Sequence, residues 1–295
     1  MDNSKFLPHQ LDSNSALVSC EWLKDNLNLS NHVVLDATFF LPRQHRNAQA
    51  EFNCQHIPGA QFFDIDEIAD HSNPLPHTLP SAEQFAQQVR ELGIDTNTWV
   101  FIYDNNHFFA AARAWWMFRV FGHQKVKVVD GGLHRWKQLL FPLTTEKIKP
   151  IPKVFDAEFQ SELFVDLEQM QVIQQQGSRQ ILDARSEDSF NGQRPISEVD
   201  LKPGHIPGSI NIPYQNLFIQ DHHTLRPIDQ LREVIALAGV DFTKSMVTSC
   251  GSGVSAALLV LALYQMGIHE VPMFDGSWAE WGRQADFPRQ TAPNG

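Results

Sequence analysis

Cysteine is scarce in this chain: three in 295 residues, Cys20, Cys54 and Cys250. An odd, widely spaced set with no CxxC pair argues against both a disulfide framework and a zinc site. It leaves room for one working thiol in a reducing compartment. Basic charge is also in deficit. Lys and Arg number 23 against 34 Asp and Glu, a net charge of −11, and no basic run interrupts the acidic average. Nucleic acid is therefore not an expected partner. Long apolar runs are missing too. The longest near-apolar stretch, residues 254–266, is shorter than the roughly 20 residues that a bilayer span requires. The opening MDNSKFLPHQLDSNS is polar and lacks the apolar centre of a secretory signal. The expectation is a soluble cytoplasmic protein with no membrane partner. A hydrophobic content of 42% is enough for real cores, and the length suits one large domain or two ordinary ones.

What the chain does have is repetition. LDAT (35–38) returns as LDAR (182–185), 147 residues later. HIPGA (56–60) returns as HIPGS (205–209), 149 later, and DGGLHRW (130–136) returns as DGSWAEW (275–281), 145 later. The order is kept and the offset barely drifts. The period is a whole domain, so this is a two-domain duplication and not a solenoid.

Both halves read alike. A helix begins at Ser19 or at Asp166, whose side-chain oxygens can accept free backbone N–H groups. A strand follows (HVVLDA or RQILDA), then a loop ending in HIPG and a short strand (AQFFDI or SINIPY). Next come a helix (AEQFAQQVRELG or DQLREVIALAG), a strand (WVFIYD or SMVTSC), another helix and a last short strand (KVKVVD or EVPMFD). Strands alternating with helices predict an α/β fold, each half a mainly parallel sheet with helices on both faces. The domains fall at 1–143 and 161–295. The segment between, 144–160, contains Pro150 and Pro152, which favour an extended crossing.

Parallel sheets bind ligands at the carboxyl ends of their strands, and Cys250 stands at such an end, between an apolar strand and the apolar helix of VTSCGSGVSAALLVLALYQMG. A loop entering a helix there turns backbone N–H groups inward, and the helix N-terminus adds partial positive charge. Both favour a thiolate, the reactive form. Gly251 and Gly253 let the loop curl, Ser252 adds a hydroxyl, and Val254 anchors the loop on the core. The alternative is a buried structural cysteine. A phosphatase loop would need an arginine six residues after the cysteine, where this chain has Ala256, so nothing there grips a phosphate.

CGSGVS after an apolar strand, HIPG in each half, DGSWAEW near the end and the tandem organisation together resemble the rhodanese superfamily, over roughly residues 19–287. Within it the loop is similar to the CGSGVT form of the 3-mercaptopyruvate sulfurtransferases, with Ser255 keeping the hydroxyl. Thiosulfate-preferring members carry a basic loop of the CRKGV kind, and this loop is uncharged. The resemblance implies two tandem rhodanese-like domains and a Cys250 nucleophile that takes sulfur as a persulfide. A thiol such as thioredoxin or a small thiol would receive that sulfur. It implies no metal or organic cofactor. Gly251 to Ser255 would cradle the sulfur, and Arg185 and Arg194 would bind the donor's carboxylate and keto oxygen. Ser252, His77 and Asp66 would form a proton relay for the pyruvate enolate. Rival expectations are a thiosulfate:cyanide sulfurtransferase and a partner-dependent sulfur relay.

The duplication supplies a control. Thr38 corresponds to Arg185, and the neighbourhood of Asp104 and Asn105 corresponds to Cys250. The first half has lost both nucleophile and cation and reads as non-catalytic. His222 and His223 read as a solvated turn without metal-ligand spacing, Trp115 and Trp116 as core, and Cys54 as an accessible thiol without an assigned task.

Overall fold

The computed structural model describes residues 11–12, 14–107, 109–195 and 200–291; most of the polar N-terminal stretch lies outside the described residues. The chain packs as two units. One comprises residues up to 68, 81–159 and 219–225; the other comprises 69–80, 160–218 and the chain from 226 onward. Among the described residues no helix is long and apolar enough to cross a membrane.

In the first unit β1 (Leu17–Ser19), β2 (His32–Asp36), β3 (Ala60–Phe62), β4 (Trp99–Tyr103) and β5 (Val126–Asp130) form a sheet ordered β1-β5-β4-β2-β3. Every pairing is parallel. Its helices are α1 (Cys20–Asn26), α2 (Ala48–Cys54), α3 (Ala82–Glu91), α4 (Ala111–Val120) and α5 (Gly132–Gln138). The chain continues through β6 (Phe164–Val165), α6 (Leu167–Gln176), β7 (Gln180–Asp183), α7 (Glu187–Phe190) and β8 (Ile210–Asn211). A hairpin of β9 (Phe218–Ile219) and β10 (Thr224–Leu225) precedes α8 (Ile228–Leu237), β11 (Met246–Ser249), α9 (Ala256–Gln265), β12 (Met273–Phe274) and α10 (Ser277–Trp281). The second sheet runs β6-β12-β11-β7-β8, again parallel throughout and in the same order, position for position, as the first.

Local chemistry sets the element ends. Ser19 and Asp166 accept the N–H groups of Trp22 at 3.0 Å and Gln169 at 2.8 Å, capping α1 and α6 as the sequence predicts. In α9 every residue from Ala256 to Leu263 is buried. A helix apolar on all sides belongs inside, and its burial fixes the corner in front of it. Trp115 and Trp116 of α4 are core residues, each 1% exposed. The edge strands β1 and β6, of three and two residues, are too short to show a period in the sequence.

Two features depart from the linear reading. Residues 144–159 pack with the first unit. His56 and Thr144 exchange backbone hydrogen bonds at 2.9 Å, Lys153 N donates to Arg90 O at 3.1 Å, and Phe155 is buried edge-on against Phe85. The prolines keep this segment extended, and an extended segment can lie along a domain surface. In addition, a short strap from each sequence half packs with the other half's unit. In the second unit Leu79 N donates to Asp275 Oδ2 at 2.7 Å; in the first, Leu225 N donates to Asp130 Oδ1 at 2.8 Å. Both leucines close His-Thr-Leu triplets, 77–79 and 223–225, and both histidines hold positive φ, 61° and 54°. The exchange is itself duplicated.

Candidate active site

Strand β11 ends at Ser249, in register with Asp183; β4 ends at Tyr103, in register with Asp36. The next residues, Cys250 and Asp104, are therefore counterparts. Their carbonyls confirm it: Cys250 O accepts the N–H of Trp278 at 3.0 Å, and Asp104 O accepts that of Leu133 at 2.9 Å.

Cys250 is 1% exposed. Its N–H donates to Ser277 Oγ at 3.1 Å, and that hydroxyl lies 3.8 Å from the Cys250 sulfur and 2.9 Å from Phe274 O. Ser277 is fully buried and holds φ +50°. The counterpart of Ser277 is Gly132, with φ +52°. A left-handed serine costs on the order of 1 kcal/mol relative to glycine, so the second unit retains a strained residue where its hydroxyl reaches the thiol. Sequence reasoning missed Ser277. The signal was present in the difference between DGSWAEW and DGGLHRW.

The loop from Gly251 to Ser255 leads directly into α9. Gly253 takes φ +75°. Gly251 does not need a left-handed backbone, but a Cβ there would meet nothing within 4 Å, so the space above it is open. Val254 and Ser255 are buried and Ser252 is half-buried. Among the described residues, the N–H groups of Gly251, Ser252, Val254 and Ser255 donate to no protein acceptor. Open donors gathered before a helix N-terminus form an anion receptor.

Arg185 is joined to this corner through Trp278: its guanidinium lies 4.8 Å from that ring, and the Trp278 N–H bonds Cys250 O. Its Nε and Nη2 bond the buried carboxylate of Asp183 at 2.7–3.1 Å, and Nη2 also donates to Gly204 O at 3.0 Å. Among the described residues Nη1 has no acceptor, so the guanidinium is anchored on one edge with donors left on the other. Arg194 donates its N–H to Asp188 O at 3.2 Å and is exposed, and none of the contacts just described involves it. His77 belongs to the second unit through its strap, two residues before the Leu79–Asp275 bond. Asp66 belongs to the first unit, where its N–H donates to Asp64 Oδ1 at 2.9 Å.

The expected solvated turn at His222 and His223 is only half correct. The His223 ring lies 3.7 Å from the His107 ring, tilted by 35°, and stacks at 3.6 Å on His134. Burial, then His107 and His134, push its pKa down to about 4. Stacked rings keep their in-plane lone pairs parallel. Among the described residues no group of three His, Cys, Asp or Glu is arranged to hold a metal ion.

The rhodanese-like domain model matches residues 19–139 and 166–284. A 3-mercaptopyruvate sulfurtransferase of Homo sapiens is 38% identical over 276 residues, covering 92% of this chain and 93% of the relative. A mitochondrial thiosulfate/3-mercaptopyruvate sulfurtransferase of Arabidopsis thaliana is 38% identical over 299 residues, 94% of this chain and 79% of the relative. The crystal structure of the 3-mercaptopyruvate sulfotransferase SseA from Escherichia coli superposes with a TM-score of 0.82 at 37% identity, covering 90% of this chain and all of that one. With one matched copy ending a strand in a cysteine below open N–H groups, and the other lacking it, the chain belongs to the rhodanese family in its two-domain form.

Proposed function

We propose that this protein transfers the sulfur of 3-mercaptopyruvate to a thiol, with 161–295 as the catalytic domain, 1–143 as its non-catalytic duplicate and 144–160 as the connection. The Cys250 thiolate attacks the donor sulfur. The new S–S bond forms as the donor's C–S bond breaks, and the electron pair leaves on carbon as the pyruvate enolate, which takes a proton. An acceptor thiolate then attacks the outer persulfide sulfur and returns Cys250 as thiolate. The observation that carries this reading is the set of open N–H groups of Gly251, Ser252, Val254 and Ser255, which stabilise negative charge on a terminal sulfur.

Arg185 offers Nη1 to the donor carboxylate, and Arg194 supplies a second cation when substrate is bound. Ser252, His77 and Asp66 deliver the proton to the enolate carbon. The duplicated strap supports the part given to His77: its counterpart His223 lies against His107, in the loop after β4, with ring centroids 3.7 Å apart, and the equivalent loop after β11 is that of Cys250. The acceptor is thioredoxin or a small thiol, and the setting is the cytoplasm.

Thiosulfate is the second donor, favoured by the double name of the Arabidopsis relative. The uncharged loop argues against it, because a dianion gains most from a basic one. Mass spectrometry of the intact reduced protein after brief exposure to each donor, with peptide mapping, tests the choice. One added sulfur on Cys250, faster from mercaptopyruvate, is the expected result. Faster loading from thiosulfate would overturn the donor assignment, and no loading would overturn the reading.

A further inference from the structure

The first unit keeps a cleft at the corner that has lost its chemistry. It is a cavity of about 390 Å³, within the range of small-molecule sites, lined by His45, Arg46, Cys54, Asn105, Leu133 and Lys137 among others. Its residues mirror those of the catalytic corner. Asn105 follows Asp104, the counterpart of Cys250. Leu133 is the counterpart of Trp278. Arg46 stands eight residues after Thr38, much as Arg194 stands nine after Arg185.

The cleft differs from the rest of the molecule in charge and in chemistry. On a chain of net charge −11, its lining carries two permanent cations, Arg46 and Lys137, against one carboxylate, Glu51. Glu51 is already engaged: Arg46 holds it through two bonds of 2.6 and 2.7 Å, Asn105 adds a third at 3.2 Å, and these partners with Lys137 keep its pKa below the usual carboxylate value. The Arg46 guanidinium also lies 3.7 Å over the Phe40 ring, which fixes it in place. Lys137 is the excess charge. Cys54, at the end of α2, is exposed on the cavity wall, whereas Cys20 and Cys250 are buried.

We infer that this cleft is a modification site, in which Cys54 exchanges with small anionic disulfides whose carboxylates are drawn in by Lys137. The Cys54 sulfur, as thiolate, attacks one sulfur of the incoming disulfide. A new S–S bond to Cys54 forms, the incoming S–S bond breaks, and half of the reagent leaves as a thiolate that takes up the proton Cys54 gave up. The disulfide itself is the oxidant, and the cysteine is oxidised by sharing it.

The test is site-resolved. The full-length protein is incubated with glutathione disulfide, which is anionic, or with cystamine, which is cationic, and the Cys54 peptide is followed by mass spectrometry over time. At low salt Cys54 is expected to load about tenfold faster from glutathione disulfide, and 0.5 M salt should erase most of the difference. Lys137→Glu should reverse the preference, and Glu51→Gln, which frees Arg46, should enlarge it. Both variants are read beside Lys137→Gln, which removes the charge without reversing it and controls for folding. Equal rates from the two reagents, faster loading from cystamine, or a preference untouched by Lys137→Glu would each overturn the inference.

Discussion

After β11 the chain places Cys250 and leaves four backbone N–H groups open; after β4 it places Asp104, whose carboxylate takes the N–H groups of Asn106, Ala110 and Ala111 at 3.0, 3.0 and 2.9 Å. Both corners follow the third strand from the same end of equivalent parallel sheets and lead into a helix. In one, the proposed function gives the positive end of the helix to a charged sulfur. In the other, the chain fills it with its own carboxylate, which stabilises α4 and closes the position to any other anion. A second pair repeats the contrast. Asp183 is neutralised by Arg185, whereas among the described residues Asp36 is held by the Thr38 N–H at 2.9 Å, the Thr38 hydroxyl and Tyr103. Without a cation, burial raises the Asp36 pKa to about 6. Among the described residues, the corner that the proposed function makes catalytic therefore differs from its duplicate by a left-handed serine, a buried ion pair and backbone donors without a protein acceptor.

The largest effect expected is at the nucleophile. Cys250→Ser should remove sulfur transfer altogether in an assay of pyruvate release; normal turnover would mean that the two corners do not differ in chemistry. Next is the Asp36 carboxyl. Its folded pKa is raised from 3.8 to about 6, so the neutral form is favoured on folding. That contribution is complete below about pH 3.8 and is lost as pH rises through 6, a difference of about 3 kcal/mol. Asp36→Asn should therefore stabilise the protein at pH 8 relative to the wild type, with the gain vanishing by pH 4, as read from urea midpoints. A gain that did not depend on pH would mean Asp36 does not titrate as its burial implies.

Arg185→Gly should raise KM for mercaptopyruvate by ten- to a hundredfold, the worth of a charge-assisted hydrogen bond of about 1.5–3 kcal/mol. Because it also strands Asp183, Arg185→Lys is the control that keeps a cation. An unchanged KM in both would separate Arg185 from substrate. Asp104→Ala should cost about 1–2 kcal/mol of stability, the usual cost of a lost N-terminal cap, and leave transfer intact in thermal unfolding and turnover measured side by side. The smallest effect is expected from Ser277→Gly, which copies Gly132 into the working corner. It relieves the left-handed strain, so stability should hold, while kcat falls about tenfold, equivalent to about 1.4 kcal/mol. An unchanged kcat would reduce Ser277 to a relic of packing.

Much of this comparison was legible before any coordinates. Pattern and repeats placed the central strands, because a fully buried parallel strand must be continuously apolar. They also placed the caps at Ser19 and Asp166, because only an oxygen-bearing side chain can take the first free N–H groups. Cys250 announced itself because its repeat lacks it. The edge strands β1 and β6 and the fate of residues 144–159 stayed hidden, since each of those strands runs straight into a helix cap and a proline-containing segment is extended whether it bridges domains or lies on one. The His-Thr-Leu triplets were readable as a repeat, yet nothing in them says which unit they join.

By itself, then, the sequence determined the duplication, the alternation of strand and helix, and the one corner equipped with a thiol, because these depend on local composition and period. Only the tertiary structure decided that Ser277 reaches the sulfur, that Arg185 is anchored by Asp183, that Asp104 fills the idle corner and that each strap packs with the opposite unit. Those are contacts between residues far apart in the chain, and their partners are chosen by packing, which no local pattern encodes.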